Sequence, residues 1–253
     1  MTRYALLMTS VTLVVLFAAW VVRATVQVQE RPAAAHFAIP PVATAPGPRA
    51  RVAPAGQRLV ANVRRRQLSY ARAPGRAWAG RLARRTEFGT RRSLLVRVSR
   101  GAWTQVLLPD RPNGSTGWVR TADVSFSAVP YELRIDLSRR QLTLLKAGRR
   151  VLRAPVAIGA PSTPTPPGFT YVTDRIEPTK AHGPFGEFVF ALAHHSAVLT
   201  EFGGGDGQVA IHGTNDRSSL GRNVSHGCIR VSNETMRRLR PLIQLGTPVR
   251  IVA

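Results

Sequence analysis

Val209–Val231 reads VAIHGTNDRSSLGRNVSHGCIRV, and it gathers two of the chain's six histidines and its only cysteine into one short segment. A thiol with an ordinary pKa near ~8.5 is only slightly ionised at neutral pH, so it needs a base or nearby positive charge to act as a nucleophile. His212 and His226 are the candidate bases for Cys228. Gly227, just before the cysteine, lets the backbone turn tightly and lets a substrate come close to the chain. Backbone N–H groups of such a turn can point at a developing oxyanion. The plain alternative is a small buried cysteine flanked by turn histidines.

The spacing speaks against that alternative. His212-Gly213-Thr214, ten further residues, then Ser225-His226-Gly227-Cys228-Ile229-Arg230 resembles the signature of the L,D-transpeptidases of the YkuD family. The resemblance implies Cys228 as nucleophile, His212 as general base and Gly213 as the residue whose backbone orients the imidazole. It implies a supporting role for His226 near the oxyanion site, with Gly227 and Cys228 supplying backbone donors. Ser225, Thr214 and Arg230 are the candidate substrate contacts; a planar guanidinium at 230 suits a substrate carboxylate. The residues alone leave open which imidazole takes the proton.

The resemblance extends over about half the chain. Tyr131–Asp136 and Gln141–Leu145 read as a strand pair across a short polar turn, with Val151–Ile158 as a third strand. Ser162–Gly168, STPTPPG, resembles the family's Thr-Pro-Thr-Pro-x-Gly element, although the aromatics Phe169 and Tyr171 stand one and three residues after the glycine. Glu187–Leu192 and Val209–His212 read as further strands, the second delivering His212 at its end. Gly203–Gly207 is a turn, since no strand, loop and helix with a following lysine makes it a phosphate loop. Asn233 reads as a helix cap, with Met236, Leu239 and Ile243 on the apolar face and Pro241 limiting the helix. Val249–Val252 is the last strand. His194 and His195 read as an exposed turn, and His36 and His182 belong to no motif.

The expected fold is therefore mainly β. It comprises a YkuD-like β-sandwich catalytic domain over 130–253 with one helix after the nucleophile. Residues 86–128, with Trp103, Trp118 and an Asn113-Gly114 turn between strands, resemble a small SH3-like module. Residues 31–85, rich in Ala, Pro and Arg, read as a basic linker. Residues 1–30 hold nineteen uncharged residues, Tyr4–Val22, between Arg3 and Arg23, long enough for a membrane helix. No clear cleavage site follows, so a signal anchor is expected, with a cleaved signal peptide as the alternative.

The chain has 253 residues and carries a net charge of +23, from 34 Arg and only 2 Lys against 13 acidic residues. Nucleic acid is the default partner for such charge, but an exported, anchored chain would not meet it. Anionic wall polymers, lipid headgroups and stem-peptide carboxylates fit better. A lone Cys without a C-x-x-C partner or an H-E-x-x-H helix speaks against zinc, and neither metal nor cofactor is expected. The resemblance thus implies an extracytoplasmic enzyme of the cell envelope that cross-links peptidoglycan stems through a cysteine thioester. Transfer to water (an L,D-carboxypeptidase) or to a protein lysine, and a non-catalytic wall-binding role, are the alternatives. A sortase would need a Thr-x-Thr-Cys element where Ser225-His226-Gly227-Cys228 stands.

Overall fold

The computed structural model describes residues 50–179, 183–201 and 204–253. The anchor segment expected over 1–30 and His36 and His182 lie outside the described residues. Among those described, no helix is long and apolar enough to cross a membrane.

Seven strands come first: β1 (Arg58–Val63), β2 (Gln67–Ala71), β3 (Trp78–Ala83), β4 (Ser93–Arg100), β5 (Trp103–Leu107), β6 (Thr116–Arg120) and β7 (Val124–Val129). They form one sheet in the order β3-β2-β6-β5-β4-β1-β7. This corrects the linker expected to run to residue 85, because β1, β2 and β3 all fall inside it. Arginine and alanine hide a strand pattern there: Val60, Ala61, Val63, Leu68, Ala71 and Leu82 are buried while the arginines between them point to water. The Asn113-Gly114 turn does join two paired strands, β5 and β6.

The second sheet contains β8 (Tyr131–Asp136), β9 (Gln141–Lys146) and β10 (Arg149–Pro155), then, beyond the short β11 (Ile158–Gly159), β12 (Gly168–Ile176), β13 (Val189–His195) and β14 (Gln208–Thr214). After β15 (Asn223–Ser225), which pairs with β11, come β16 (Ile229–Ser232), α1 (Asn233–Leu239) and β17 (Pro248–Val252). The order is β10-β9-β8-β17-β12-β13-β14-β16. Strand β12 turns the corner of the sandwich. Its first residues pair with β17, its last with β13, and the register slips between Val172 and Asp174. Leu133 and Ile135, Leu142 and Leu144, and Val249 and Ile251 alternate inward from one half. Phe190, Leu192, Val209, Ile211, Ile229 and Val231 meet them from the other half, with Met236 and Leu239 of α1 closing the same core.

The first sheet packs on the outer face of β12 and β13, where Tyr171 and Ala193 join its core. The Tyr171 hydroxyl donates to the Leu107 carbonyl at 3.3 Å, and Thr86 Oγ1 donates to Asp174 Oδ1 at 2.5 Å. Both faces of β13 are thus covered, which explains why all seven of its residues are buried. The reading of His194 and His195 as an exposed turn is accordingly wrong: they end this strand, 1% and 3% exposed.

Helix α1 is capped by Ser232, whose Oγ accepts the Thr235 N–H at 3.1 Å, rather than by Asn233 as expected. Asn233 is thereby released for another task, described below. The helix stops at Leu239, before Pro241, whose missing N–H and ring favour termination there.

Candidate active site

Strands β14 and β16 run parallel with Ile211 opposite Ile229 and His212 opposite Arg230. Ile211, Ile229 and Val231 face the core, so alternation turns Ala210, His212 and Arg230 to the other face. Cys228 precedes β16 by one residue and falls on that same face. The Ala210 N–H and the Arg230 charge both bear on the thiol, and the Arg230 charge bears on the imidazole as well. One register thereby brings Cys228 and Arg230 to His212, which lies sixteen and eighteen residues before them in sequence.

His212 is 3% exposed, and its Nδ1 lies 2.7 Å from the Gly213 carbonyl oxygen. A carbonyl only accepts, so Nδ1 carries the hydrogen and the Nε2 lone pair is left to take a proton. The Phe185 ring meets the imidazole edge-on, with centroids 5.3 Å apart. Burial pushes the His212 pKa down to about 4; the Gly213 hydrogen bond opposes that shift and the Arg230 charge adds to it. Burial pushes the Cys228 thiol up, against the opposing pulls of the Ala210 N–H and Arg230. At neutral pH the resting pair is a neutral thiol beside a neutral imidazole, the arrangement that general-base activation requires.

Gly213 is required by space. A Cβ there would sit 2.1 Å from Asn233 Oδ1. That oxygen accepts the Glu187 N–H at 3.2 Å, while Asn233 Nδ2 donates to Asn215 Oδ1 at 2.8 Å. Asn233 therefore ties the first turn of α1 to the strand end that carries His212. The Asn233 side chain was legible in the sequence only as a cap.

The turn before Cys228 is held from within. Ser225 Oγ donates to the Cys228 carbonyl at 2.5 Å and accepts the Gly227 N–H at 3.2 Å. Ser225 is buried and fully engaged, so it shapes the turn rather than offering a hydroxyl to substrate. The Gly227 N–H is engaged as well, so of the two backbone donors expected at this turn the Cys228 N–H is the one without an acceptor among the described residues. Gly227 has φ +113°, a backbone conformation that other residues rarely adopt. Thr165, from the STPTPPG run, accepts the Gly159 N–H and donates to the Gly227 carbonyl, both at 2.9 Å. Sequence reasoning found that run but not this role for its threonine.

Thr214 is buried and its Oγ1 accepts the Asp216 N–H at 3.1 Å, again a turn contact. His226 is exposed on the turn beside the thiol. Arg230 is half-buried, and its Nε is buried without a hydrogen-bond partner among the described residues. Among the described residues no group of three or more His, Cys, Asp or Glu side chains is placed to hold a metal.

A partly exposed thiol, a buried imidazole with its Nδ1 engaged and a guanidinium thus share one face of two parallel strands. Residues 130–251 match the YkuD family model, the L,D-transpeptidase catalytic domain. This part of the chain is similar to the catalytic domain of that family. It is 34% identical over 123 residues to the protein named YkuD, a candidate L,D-transpeptidase, of Bacillus licheniformis, covering 49% of this chain and 66% of that one. The namesake of Bacillus subtilis is 32% identical over the same length, with the same coverage of both chains. The match thus spans just under two thirds of those curated relatives. Among solved structures, an L,D-transpeptidase from Mycobacterium tuberculosis H37Rv aligns at 18% identity and TM-score 0.42, covering 57% of this chain and 75% of that one.

Proposed function

We propose that the chain is a peptidoglycan L,D-transpeptidase of the cell envelope that works through a thioester on Cys228. The observation that carries the reading is the shared face of Cys228, His212 and Arg230 within the family's catalytic domain. In the donor half-reaction His212 Nε2 takes the thiol proton as sulfur attacks the carbonyl on the L-centre of meso-diaminopimelate in a tetrapeptide stem. The Cys228 N–H donates to the oxyanion; losing one such donor typically costs ~10²–10³ in rate. The C–N bond to D-Ala breaks, His212 returns the proton to the departing amine, and the thioester remains. An amine of a neighbouring stem then attacks the thioester, His212 takes that amine's proton, and the thiol is released with a 3→3 cross-link formed.

Arg230 binds the carboxylate of the donor stem through its unused Nε–H and guanidinium fork. His226 lines the mouth of the site. The apolar segment within 1–30 anchors the chain in the cytoplasmic membrane with the catalytic domain outside, where its polymer lies.

The test is incubation of the purified chain with disaccharide tetrapeptide, with products followed by mass spectrometry beside a Cys228→Ala control. A Cys228-dependent dimer lacking one D-Ala is expected. Loss of D-Ala without dimer would make water the acceptor, and transfer only to an added protein lysine would make the enzyme an attachment catalyst. No turnover by folded protein would overturn the reading.

A further inference from the structure

The first sheet carries a cavity of ≈ 750 Å³, far from the thiol in sequence, whose lining includes Arg51, Arg64, Trp103, Arg120, Thr121 and Phe126. Its walls are aromatic and its rim is cationic. The Arg51 guanidinium lies over the Phe126 ring at 5.9 Å, and that of Arg120 over Trp78 at 5.6 Å. Trp78 and Trp103 lie 5.9 Å apart at 46°, and Trp78 is 43% exposed, unusual for so large an apolar ring. Thr121 of the lining ends a buried chain of hydroxyls, 3.0 Å from Thr104, which is in turn 3.2 Å from Ser99.

The charge is not neutralised from within. Residues 50–129 hold sixteen arginines against three carboxylates. Asp123, the acid on the turn beside the cavity, is taken by Arg65 at 2.9 Å. Arg51, Arg64 and Arg120 have no carboxylate partner among the described residues. Guanidiniums stacked on rings keep their in-plane donors free for an acid, while the ring faces remain for a flat, weakly polar ligand. The volume is that of a site for a small ligand or a few units of a chain.

We infer that this cavity is a binding site for an acidic saccharide, with sugar rings stacked on Trp103 and Phe126 and a sugar carboxylate held by Arg64 and Arg120. The choice of a saccharide over a single-stranded nucleic acid, which also fits basic and aromatic walls, rests on the proposed envelope function. The existence of an anion site does not. Such a site would hold the enzyme on acidic, peptide-free glycan of the envelope, close to strands whose peptides the thiol works on, raising their local concentration.

The test uses full-length Cys228→Ala protein, so that binding is read without turnover and independently of whether the thiol acts as proposed. Intrinsic tryptophan fluorescence is titrated with a muramic-acid-containing tetrasaccharide free of stem peptides, with its carboxyl-reduced form, and with an oligothymidylate. Saturable binding at sub-millimolar concentration is expected, at least tenfold weaker for the reduced sugar and for the double variant Arg64→Ser/Arg120→Ser. Both arginines are exposed, so that variant keeps its melting temperature. Equal binding of the reduced sugar, unchanged binding by the variant, tighter binding of the oligonucleotide, or no fluorescence change up to several millimolar would each overturn the inference.

Discussion

Acid should destabilise this protein well above the pH at which its carboxylates protonate, and two histidines set the amount. His212 and His194 are buried, and burial lowers each pKa to about 4 from the usual 6.5. The neighbouring His195 adds to the shift at His194, and a hydrogen bond to the Pro166 backbone opposes it. Between pH 6.5 and 4 the unfolded chain binds protons at these positions while the folded chain does not. Stability is therefore full above pH 6.5 and falls as pH drops through that window. For one such group, lowering pH from 7 to 5 removes about 2 kcal/mol, and for two independent groups about 4 kcal/mol. Asp136 and Asp216 have lowered pKa values through hydrogen bonds to Arg139 and Ser138, and to Ser218 and Ser219. Their contribution is lost only below the ordinary carboxylate pKa of ~4, outside this range. The assay is urea unfolding at pH 7 and pH 5, read as the change in free energy at constant m-value. His212→Asn and His194→Asn should each halve the loss. A wild-type loss below about 1 kcal/mol would refute the reasoning, since one or both rings would then be charged or solvated in the folded state.

Other consequences are equally direct. Because burial raises the Cys228 thiol, its alkylation by iodoacetamide should climb with pH through a midpoint above the ordinary thiol value; fast, flat alkylation down to pH 6 would instead reveal a resting thiolate–imidazolium pair. Gly213→Ala forces its methyl against Asn233 Oδ1 and should cost about 1–3 kcal/mol, with turnover lost; a variant of unchanged stability and activity contradicts the packing described. Thr165→Val strands the Gly159 N–H and Gly227 carbonyl, a loss of roughly 2–4 kcal/mol by urea unfolding. Arg111 donates to the carbonyls of Ser196, Leu199 and Asp206, and Asn113 clamps the His195 backbone N–H and carbonyl, so the first sheet grips the loop leading into β14. Arg111→Ala should cost about 2 kcal/mol and speed hydrogen exchange across 196–207, whereas unchanged exchange would show the grip to be incidental.

The sequence made some of this plain and hid the rest for physical reasons. The 209–231 stretch was legible because its chemistry is concentrated, and β8, β9 and β17 because leucine, isoleucine and valine alternate with polar residues. Strands β1 to β3 were not legible, since Ala61 and Ala71 serve as inward residues, Val60 and Ala61 are buried side by side, and arginines crowd the turns between the strands, so period two is weak and the composition suggests a linker. His194 and His195 look like surface residues until the first sheet covers β13, a contact between distant parts of the chain. The cap at Ser232 and the work of Asn233 are separated by one residue, and only the path of the backbone decides which does which. The engagement of the Gly227 N–H by Ser225 is of the same kind: composition puts both residues in the turn, and only geometry shows that one occupies the other.

The most direct measurement is the intact mass of the full chain after brief exposure to disaccharide tetrapeptide, followed by peptide mapping. The account predicts an adduct on Cys228 equal to the donor less D-Ala, labile to hydroxylamine, absent from Cys228→Ala and greatly slowed in His212→Asn. Turnover of the tetrapeptide by Cys228→Ala, or an adduct that forms at the wild-type rate without His212, would contradict it.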